Sequence, residues 1–440
     1  MSILNFHIPK RTIFLLLVLA GMIQVACKKS SSGSPVITHV RAVDSTARDS
    51  FFVTALTGSL IDIQGQNLDG LQAVYFNGLS ATYNPALNSG TNIIITIPTN
   101  APTSPPLSSV PNTIKVVTNH GSATYTFNLV LPAPIITAVS NENATAGTSI
   151  TIYGSNFYGI TKVTFPGGID VTSPTVNDSS TQISVAVPSG ITAGDSIRVT
   201  GTFGTSVSPF VFDNWLSPTF GFLANFDIYN GSSQWSPPSV TADPYYGWSQ
   251  NQWDGAYITN SSTFPGGTGD CVEMDPQNNK PAGDNSWWQD NNGIMTDSTA
   301  TLPAWVQSSS ASISNYALKF EAFVNNWTAG SIWITTNRPT NNNNNTWSYM
   351  AEYAPWKTAS TGKYSTNGWL TVTIPLTSFL SCKNNVYTSG GSPASSIAAL
   401  YNIPSGYGGF MFMYANDGTT TIPGGSFAMA IDNVRVVPIN

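Results

Sequence analysis

The sequence predicts an all-β protein, with two immunoglobulin-like sandwiches in tandem followed by a larger β-sandwich of jelly-roll type. Three observations carry that prediction. A pattern of short alternating strands recurs at a fixed offset in the first half of the chain. Only 9% of residues are charged, while 41% are hydrophobic and 11% aromatic. All twelve tryptophans lie at Trp215 or later. Low charge with many β-branched and aromatic residues fits strands whose polar face is amide and hydroxyl rather than ionic. A chain of 440 residues suits two or three domains, and the tryptophan boundary puts the last division near Asn214.

The N-terminus carries Lys10 and Arg11, an apolar run over 13–23 and small residues ahead of Cys27. This reads as an export signal over residues 1–26, too short to span a bilayer. Val25-Ala26-Cys27, followed by Lys28-Lys29-Ser30-Ser31-Ser32-Gly33, resembles a bacterial lipoprotein signal, although Gln24 stands where leucine is usual. The resemblance implies that Cys27 is lipidated and that 27–34 tether the protein to a membrane; plain secretion is the alternative. Two or three acyl chains would anchor firmly, at about 0.8 kcal/mol per buried CH₂. Of the 16 basic residues, Lys10 and Arg11 leave with the signal, so 14 face 22 acidic ones. No basic stripe remains to neutralise phosphates, which excludes nucleic acid as a partner. Cys271 and Cys382 are then the remaining thiols, too few for a disulfide framework; whether they pair is left open.

The repeat spans 35–132 and 133–213. Ser59-Leu60-Ile61-Asp62-Ile63-Gln64-Gly65-Gln66-Asn67-Leu68 is matched eighty-nine positions later by Thr148-Ser149-Ile150-Thr151-Ile152-Tyr153-Gly154-Ser155-Asn156-Phe157. The same offset carries Val74-Tyr75-Phe76-Asn77-Gly78 onto Val163-Thr164-Phe165-Pro166-Gly167. Period-two strands broken by Gly, Asn and Pro read as two small sandwiches, and the pattern resembles the TIG (IPT) class of immunoglobulin-like domains. The glycine of the Gly-x-Asn step is expected to occupy a positive-φ position. Neither copy gathers a catalytic cluster, and His39 and His120 read as surface or turn histidines. Both copies are expected to act as spacers, dispensable for any binding by the last domain.

Residues 214–440 continue as strands, with room for only a helical turn or two near 395–400. Tryptophan and tyrosine concentrate between Asn325 and Trp369, among Asn, Thr, Ser and Gly. Alternation places Trp333 and Thr335 opposite Ile332 and Ile334. It also groups Trp347, Tyr349 and Tyr353, which line an outer face if Met350 points to the core, and Trp356 follows on a loop after Pro355. Tryptophans in sandwiches usually serve the core, as Trp369 is expected to do. Even so, Trp327, Trp333, Trp347, Tyr349, Tyr353 and Trp356 are the candidate platform. Exposed aromatics among amides and hydroxyls stack on the C–H faces of sugar rings, and low charge fits a neutral polysaccharide. The domain thus reads as a carbohydrate-binding-module type of sandwich.

The order Phe222-Leu223-Ala224-Asn225-Phe226-Asp227, Tyr353-Ala354-Pro355-Trp356-Lys357, Gly368-Trp369-Leu370-Thr371-Val372-Thr373-Ile374-Pro375-Leu376 and Ile431-Asp432-Asn433-Val434-Arg435 resembles the surface glycan-binding protein B family of Bacteroidota polysaccharide-utilisation systems. The resemblance implies an outer-membrane lipoprotein exposed at the cell surface. It further implies Ig-like modules ahead of a non-catalytic C-terminal domain that binds xyloglucan or a related β-glucan or hemicellulose, and partnership with an outer-membrane glycan import complex. No cofactor is expected, with a structural calcium ion allowed at Asp227 or Asp432. The rival readings are a glycoside hydrolase, which needs two carboxylates about 5 to 10 Å apart, and a structural or adhesion lipoprotein. Asp227, Asp254, Asp270, Glu273, Asp275, Glu321, Glu352 and Asp432 are the carboxylates a hydrolase would draw on. No histidine follows His120, which excludes a Ser-His-Asp esterase in the C-terminal domain.

Overall fold

Alternating isoleucines build the first sandwich. The computed structural model describes residues 33–44, 50–105, 107–191, 194–212, 222–224, 245–247, 256–260, 264–276, 278–285, 293–296, 311–336, 348–384, 386–401 and 410–439, with only the backbone of 222–224, 245–247, 256–260, 293–296, 398 and 401. The chain divides into two compact units at Pro132/Ala133. In the first unit, strands Val36–Ala42, Leu60–Gln66 and Asn92–Thr96 form one sheet. Strands Leu79–Ala81, Leu71–Phe76, Thr113–Thr118 and Gly121–Thr126 form the other. Ile61, Ile63, Leu68, Val74 and Phe76 fill the core between them.

The second unit opens with the other copy. Its sheets are Ile135–Val139, Ser149–Ser155, Gln182–Ala186 and Thr175–Val176 against Ile169–Thr172, Ile160–Phe165, Arg198–Gly201 and Gly204–Val207. Ile150, Ile152, Phe157, Val163 and Phe165 occupy the equivalent core positions, all buried. The Gly-x-Asn step works differently from the sequence expectation. Asn67 and Asn156 take the left-handed conformation, with φ of 58° and 59°. Gly65 and Gly154 are needed instead for close approach, because a Cβ at either would sit 1.9 Å from the carbonyl oxygen of Val36 or Ile135. Both lie opposite a bulge in the first strand, at Ile37/His39 and Ile136/Ala138, where an extra residue pushes the partner backbone inward.

Beyond it stands the C-terminal sandwich of two antiparallel sheets. One runs Ala256–Asn260, Asp270–Met274, Ala428–Pro438, Tyr316–Asn325, Leu370–Pro375, with Phe222–Ala224 also paired to Ala428–Pro438. The other runs Tyr245–Gly247, Gly293–Thr296, Phe410–Ala415, Ser331–Thr336, Tyr349–Tyr353, Leu380–Ser381. A short helix, Ile397–Tyr401, falls where a helical turn was expected. Leu318, Phe320, Ala322 and Val324 point into the core from one sheet, and Ile332, Ile334, Phe410, Phe412 and Tyr414 from the other.

On strand Tyr316–Asn325 the outward residues Ala317, Lys319 and Glu321 are buried as well. Lys319 is 7% exposed and Glu321 2%, because the loop after Val139 in the second Ig-like copy lies over them. The Thr371 N–H on the edge strand donates to the Ser140 carbonyl at 2.8 Å, and the Glu142 N–H donates to Thr371 Oγ1 at 2.7 Å. Glu142 then pairs with Lys319 at 2.5 Å and Arg435 at 2.8 Å, while Arg435 also holds Glu321 at 2.8 Å. The Asn143 amide donates to Glu321 at 2.8 Å. Asn433, at φ 50°, produces the shift in parity that turns Arg435 outward toward Glu321. Two carboxylates facing the guanidinium outweigh its burial, so its affinity for the proton rises further.

Candidate functional site

The second sheet of the C-terminal sandwich has two apolar faces, and this decides where its aromatics go. Ile332, Ile334, Ala351, Tyr349 and Tyr353 face the main core. Trp333, Met350, Met411, Met413 and Ala415 form a separate cluster on the opposite face, with Cys382 and Tyr387 against it. The expected parity of the Tyr349–Tyr353 strand is therefore reversed, with Met350 outward and the two tyrosines inward. Tyr353 makes edge-to-face contacts with Phe320 and Trp327 at 5.8 and 5.5 Å. Burial pushes its phenol well above the ordinary value, with Tyr364 adding to the shift.

Two further candidates are corrected by burial. Trp327 is 0% exposed, lies 4.7 Å from the Phe427 ring, and donates its indole N–H to Ala329 and Gly330 carbonyls at 2.9 and 3.2 Å. It belongs to the core. Trp333 is on the outer face as expected but only 2% exposed, so its ring is closed off. Trp369 is 8% exposed, packed beneath Gly267 and edge-on to Phe323, as a core residue should be. Trp347 and Cys27 lie outside the described residues, as do seven of the other tryptophans.

Trp356 keeps one open side. It sits on the 3₁₀ turn Pro355–Lys357, half-buried against the main core, and its indole N–H donates to the Gly330 carbonyl at 2.7 Å. Pro355 at the start of this turn supplies a fixed φ and no N–H, which ends the preceding strand and leaves the indole at the surface. Beside it, Lys357 holds Glu352 at 2.7 Å and also bonds Asp417, and the Ser331 hydroxyl donates to Glu352 at 2.9 Å. Burial opposes the charge on Lys357, but the hydrogen bonds and the field of the two carboxylates outweigh it and raise its pKa.

Several of the candidate carboxylates are enclosed or paired, while Asp227 and Asp254 lie outside the described residues. Glu321 is sealed beneath the Ig-like copy and spoken for by Arg435, Asn143 and Thr371. Glu352 is tied to Lys357. Glu273 and Asp432 are 3% and 1% exposed. Asp432 accepts from Thr268 Oγ1 at 2.8 Å and from the Asn433 N–H at 2.7 Å. No group of three His, Cys, Asp or Glu side chains converges on a metal position among the described residues. Cys271 packs with Phe264, Trp369 and Ala430, and Cys382 with the methionine cluster on the other sheet, so the two thiols lie apart and are not joined to each other.

Sequence reasoning missed Ser140, Glu142 and Asn143, because the second Ig-like copy was read as a spacer. A signal existed. The offset between copies is 99 at Pro35/Pro134 and 89 at Ser59/Thr148, so the loop after the first strand is ten residues shorter in the second copy, and it is this short loop that docks.

The comparisons with known proteins agree with this architecture. An IPT/TIG domain-containing protein of Bacteroides ovatus is 30% identical over 190 residues, 40% of this chain and 39% of that protein. The chain thus spans about two-fifths of the curated relative it matches. The crystal structure of a surface glycan-binding protein, PbSGBP-B from Prevotella bryantii, shares the fold with a TM-score of 0.67 at 23% identity, covering 92% of this chain and 99% of that one. An SGBP-B from a complex xyloglucan utilization locus in Bacteroides uniformis aligns over 92% of this chain and 99% of that one, at 19% identity and a TM-score of 0.48. Residues 218–438, half of the chain, match the family described as surface glycan-binding protein B xyloglucan binding domain, and the chain belongs to that family.

Proposed function

We propose that this protein is a non-catalytic, cell-surface binder of a neutral plant-type polysaccharide, xyloglucan or a related β-glucan or hemicellulose. The observation that carries the reading is the family match over 218–438. The relatives support the choice of ligand: one similar structure comes from a xyloglucan utilization locus. In this reading Trp356 stacks on a pyranose ring. One face of the indole rests on the core, and the N–H bond to Gly330 fixes its orientation before ligand arrives. Stacking and hydroxyl pairing need no cofactor. Lipidation of Cys27 would hold the protein at the outer membrane, where it would pass polysaccharide to a glycan import complex. A hydrolase built on Glu321 and Glu352 is disfavoured, since the first is inaccessible and the second ion-paired.

Affinity electrophoresis through gels holding neutral polysaccharides, paired with a reducing-end assay, tests the reading. Retardation is expected without release of product. It should change little between low and high salt, because a neutral ligand contributes no screened attraction. Product formation would favour the hydrolase, and absence of retardation in every neutral glycan would overturn the binder.

A further inference from the structure

An open cleft of about 600 Å³ runs between the second Ig-like copy and the C-terminal sandwich. One wall is the outer face of strand Ser149–Ser155, and the other is the segment 367–371 leading into the edge strand. None of the lining residues carries a charge. They offer hydroxyls, amides and one open aromatic ring, the same chemistry that the sequence concentrates between Asn325 and Trp369.

Tyr153 is that ring. It is 38% exposed, although most large apolar side chains of its domain are buried. Along its own strand the residues sharing its face are Ser149 and Thr151, and its cross-strand partners are Ala138 on one side and Gln182 on the other, so small and polar side chains flank the ring. Across the cleft, Gly368 has φ of 92° and nothing within 4 Å of the position a Cβ would take. That wall is therefore low where a flat ring would enter. Asn367 stands exposed beside it.

The width of the cleft is set before any ligand arrives. Thr371 is hydrogen-bonded to both Ser140 and Glu142, and Glu142 is ion-paired to Arg435 and Lys319. Ligand pockets commonly lie at such domain seams, and a preformed one spends no binding energy on closure. The absence of Lys, Arg, Asp and Glu argues against a phosphate, carboxylate or ammonium ligand, each of which needs charge to replace its water.

We propose that this seam is a second glycan subsite, in which Tyr153 stacks on a ring of the same neutral polysaccharide and Thr151 and Asn367 meet its hydroxyls. The proposal rests on the reading of the chain as a glycan binder and deepens it, because the Ig-like copy becomes part of the binding machinery. A long chain engages both subsites and gains by effective concentration, whereas a short oligosaccharide occupies the stronger one alone.

The test uses the full chain after signal removal, titrated calorimetrically with soluble xyloglucan and with a xyloglucan heptasaccharide. Tyr153→Ala and, on the opposite wall, Asn367→Ala should each weaken polysaccharide binding about five-fold or more. Tyr153→Phe should retain it, since the ring does the stacking. Affinity for the heptasaccharide and the melting temperature should stay at the wild-type values in all three. Wild-type polysaccharide affinity in both alanine variants would overturn the subsite while leaving the main reading intact. A wild-type chain that binds neither ligand would instead overturn the glycan-binder reading, and the subsite with it.

Discussion

Replacing Glu142 by glutamine tests whether the second Ig-like copy and the C-terminal sandwich fold as one body. Glu142 is 4% exposed, and its two oxygens serve Arg435 at 1% and Lys319 at 7% exposure. Glu142→Gln keeps the shape and removes the charge, leaving Glu321 as the remaining carboxylate of the cluster for two buried cations. Taking one partner out of a buried ion pair costs about 3 to 5 kcal/mol, because the charge left behind is stranded away from water. The loss has a ceiling, since the two sandwiches can part and rehydrate Arg435 and Lys319, so it cannot exceed the free energy of docking. At about 1.5 °C per kcal/mol for a unit of about 300 residues, thermal unfolding should fall by about 5 to 8 °C. A smaller fall would be accompanied by separation of the two sandwiches, seen as a larger radius in small-angle scattering. A variant melting within about 2 °C of wild type with an unchanged scattering profile would refute the reasoning. The same logic revises the expectation that 214–440 suffices for binding. Cutting there removes Ser140 and Glu142 and uncovers the edge strand Leu370–Pro375, a template for aggregation. Residues 133–440 should therefore be the smallest well-behaved binding fragment.

Trp356→Ala should weaken glycan binding about ten-fold or more, since stacking on one aromatic is worth about 1 to 3 kcal/mol, with only a few degrees lost in melting. Trp327→Ala should do the reverse, costing about 3 to 5 kcal/mol of stability while the folded fraction binds normally; calorimetric titration and melting of the pair check both, and swapped outcomes would mean that the platform and core roles are misassigned. Cys27→Ser should release the protein from the membrane fraction into the periplasm or medium, as fractionation and metabolic lipid labelling would show; a variant that stays membrane-bound and labelled would remove the anchor from Cys27.

What the sequence makes legible depends on whether a strand has a wet face. In the Ig-like copies it does. Leu60, Ser149 and Tyr153 are exposed beside the buried Ile61, Ile150 and Ile152, and polar Asp62 and Thr151 separate the isoleucine pairs, so period-two alternation identifies the core positions directly. In the C-terminal sandwich, strands Ser331–Thr336 and Phe410–Ala415 are buried on both faces. Alternation there still says which residues share a face, but with methionines on one side and isoleucines and phenylalanines on the other, no polar phase says which face is inside. That is why Met350 and Tyr353 were assigned to each other's side. The docked seam was hidden for a related reason. Lys319, Glu321 and Arg435 occupy positions that read as a solvated outer face, and the carboxylate that completes them comes from another domain. Composition nevertheless held a clue. A chain that keeps its surface polar with amides and hydroxyls has little need of charge for solubility, so the charges it retains are often held in pairs, as at Arg41–Asp62, Lys357–Glu352 and Arg435–Glu321. In such a chain, three charges spread over two adjacent central strands mark a covered face rather than an exposed one, and the covering element must bring at least one opposite charge of its own.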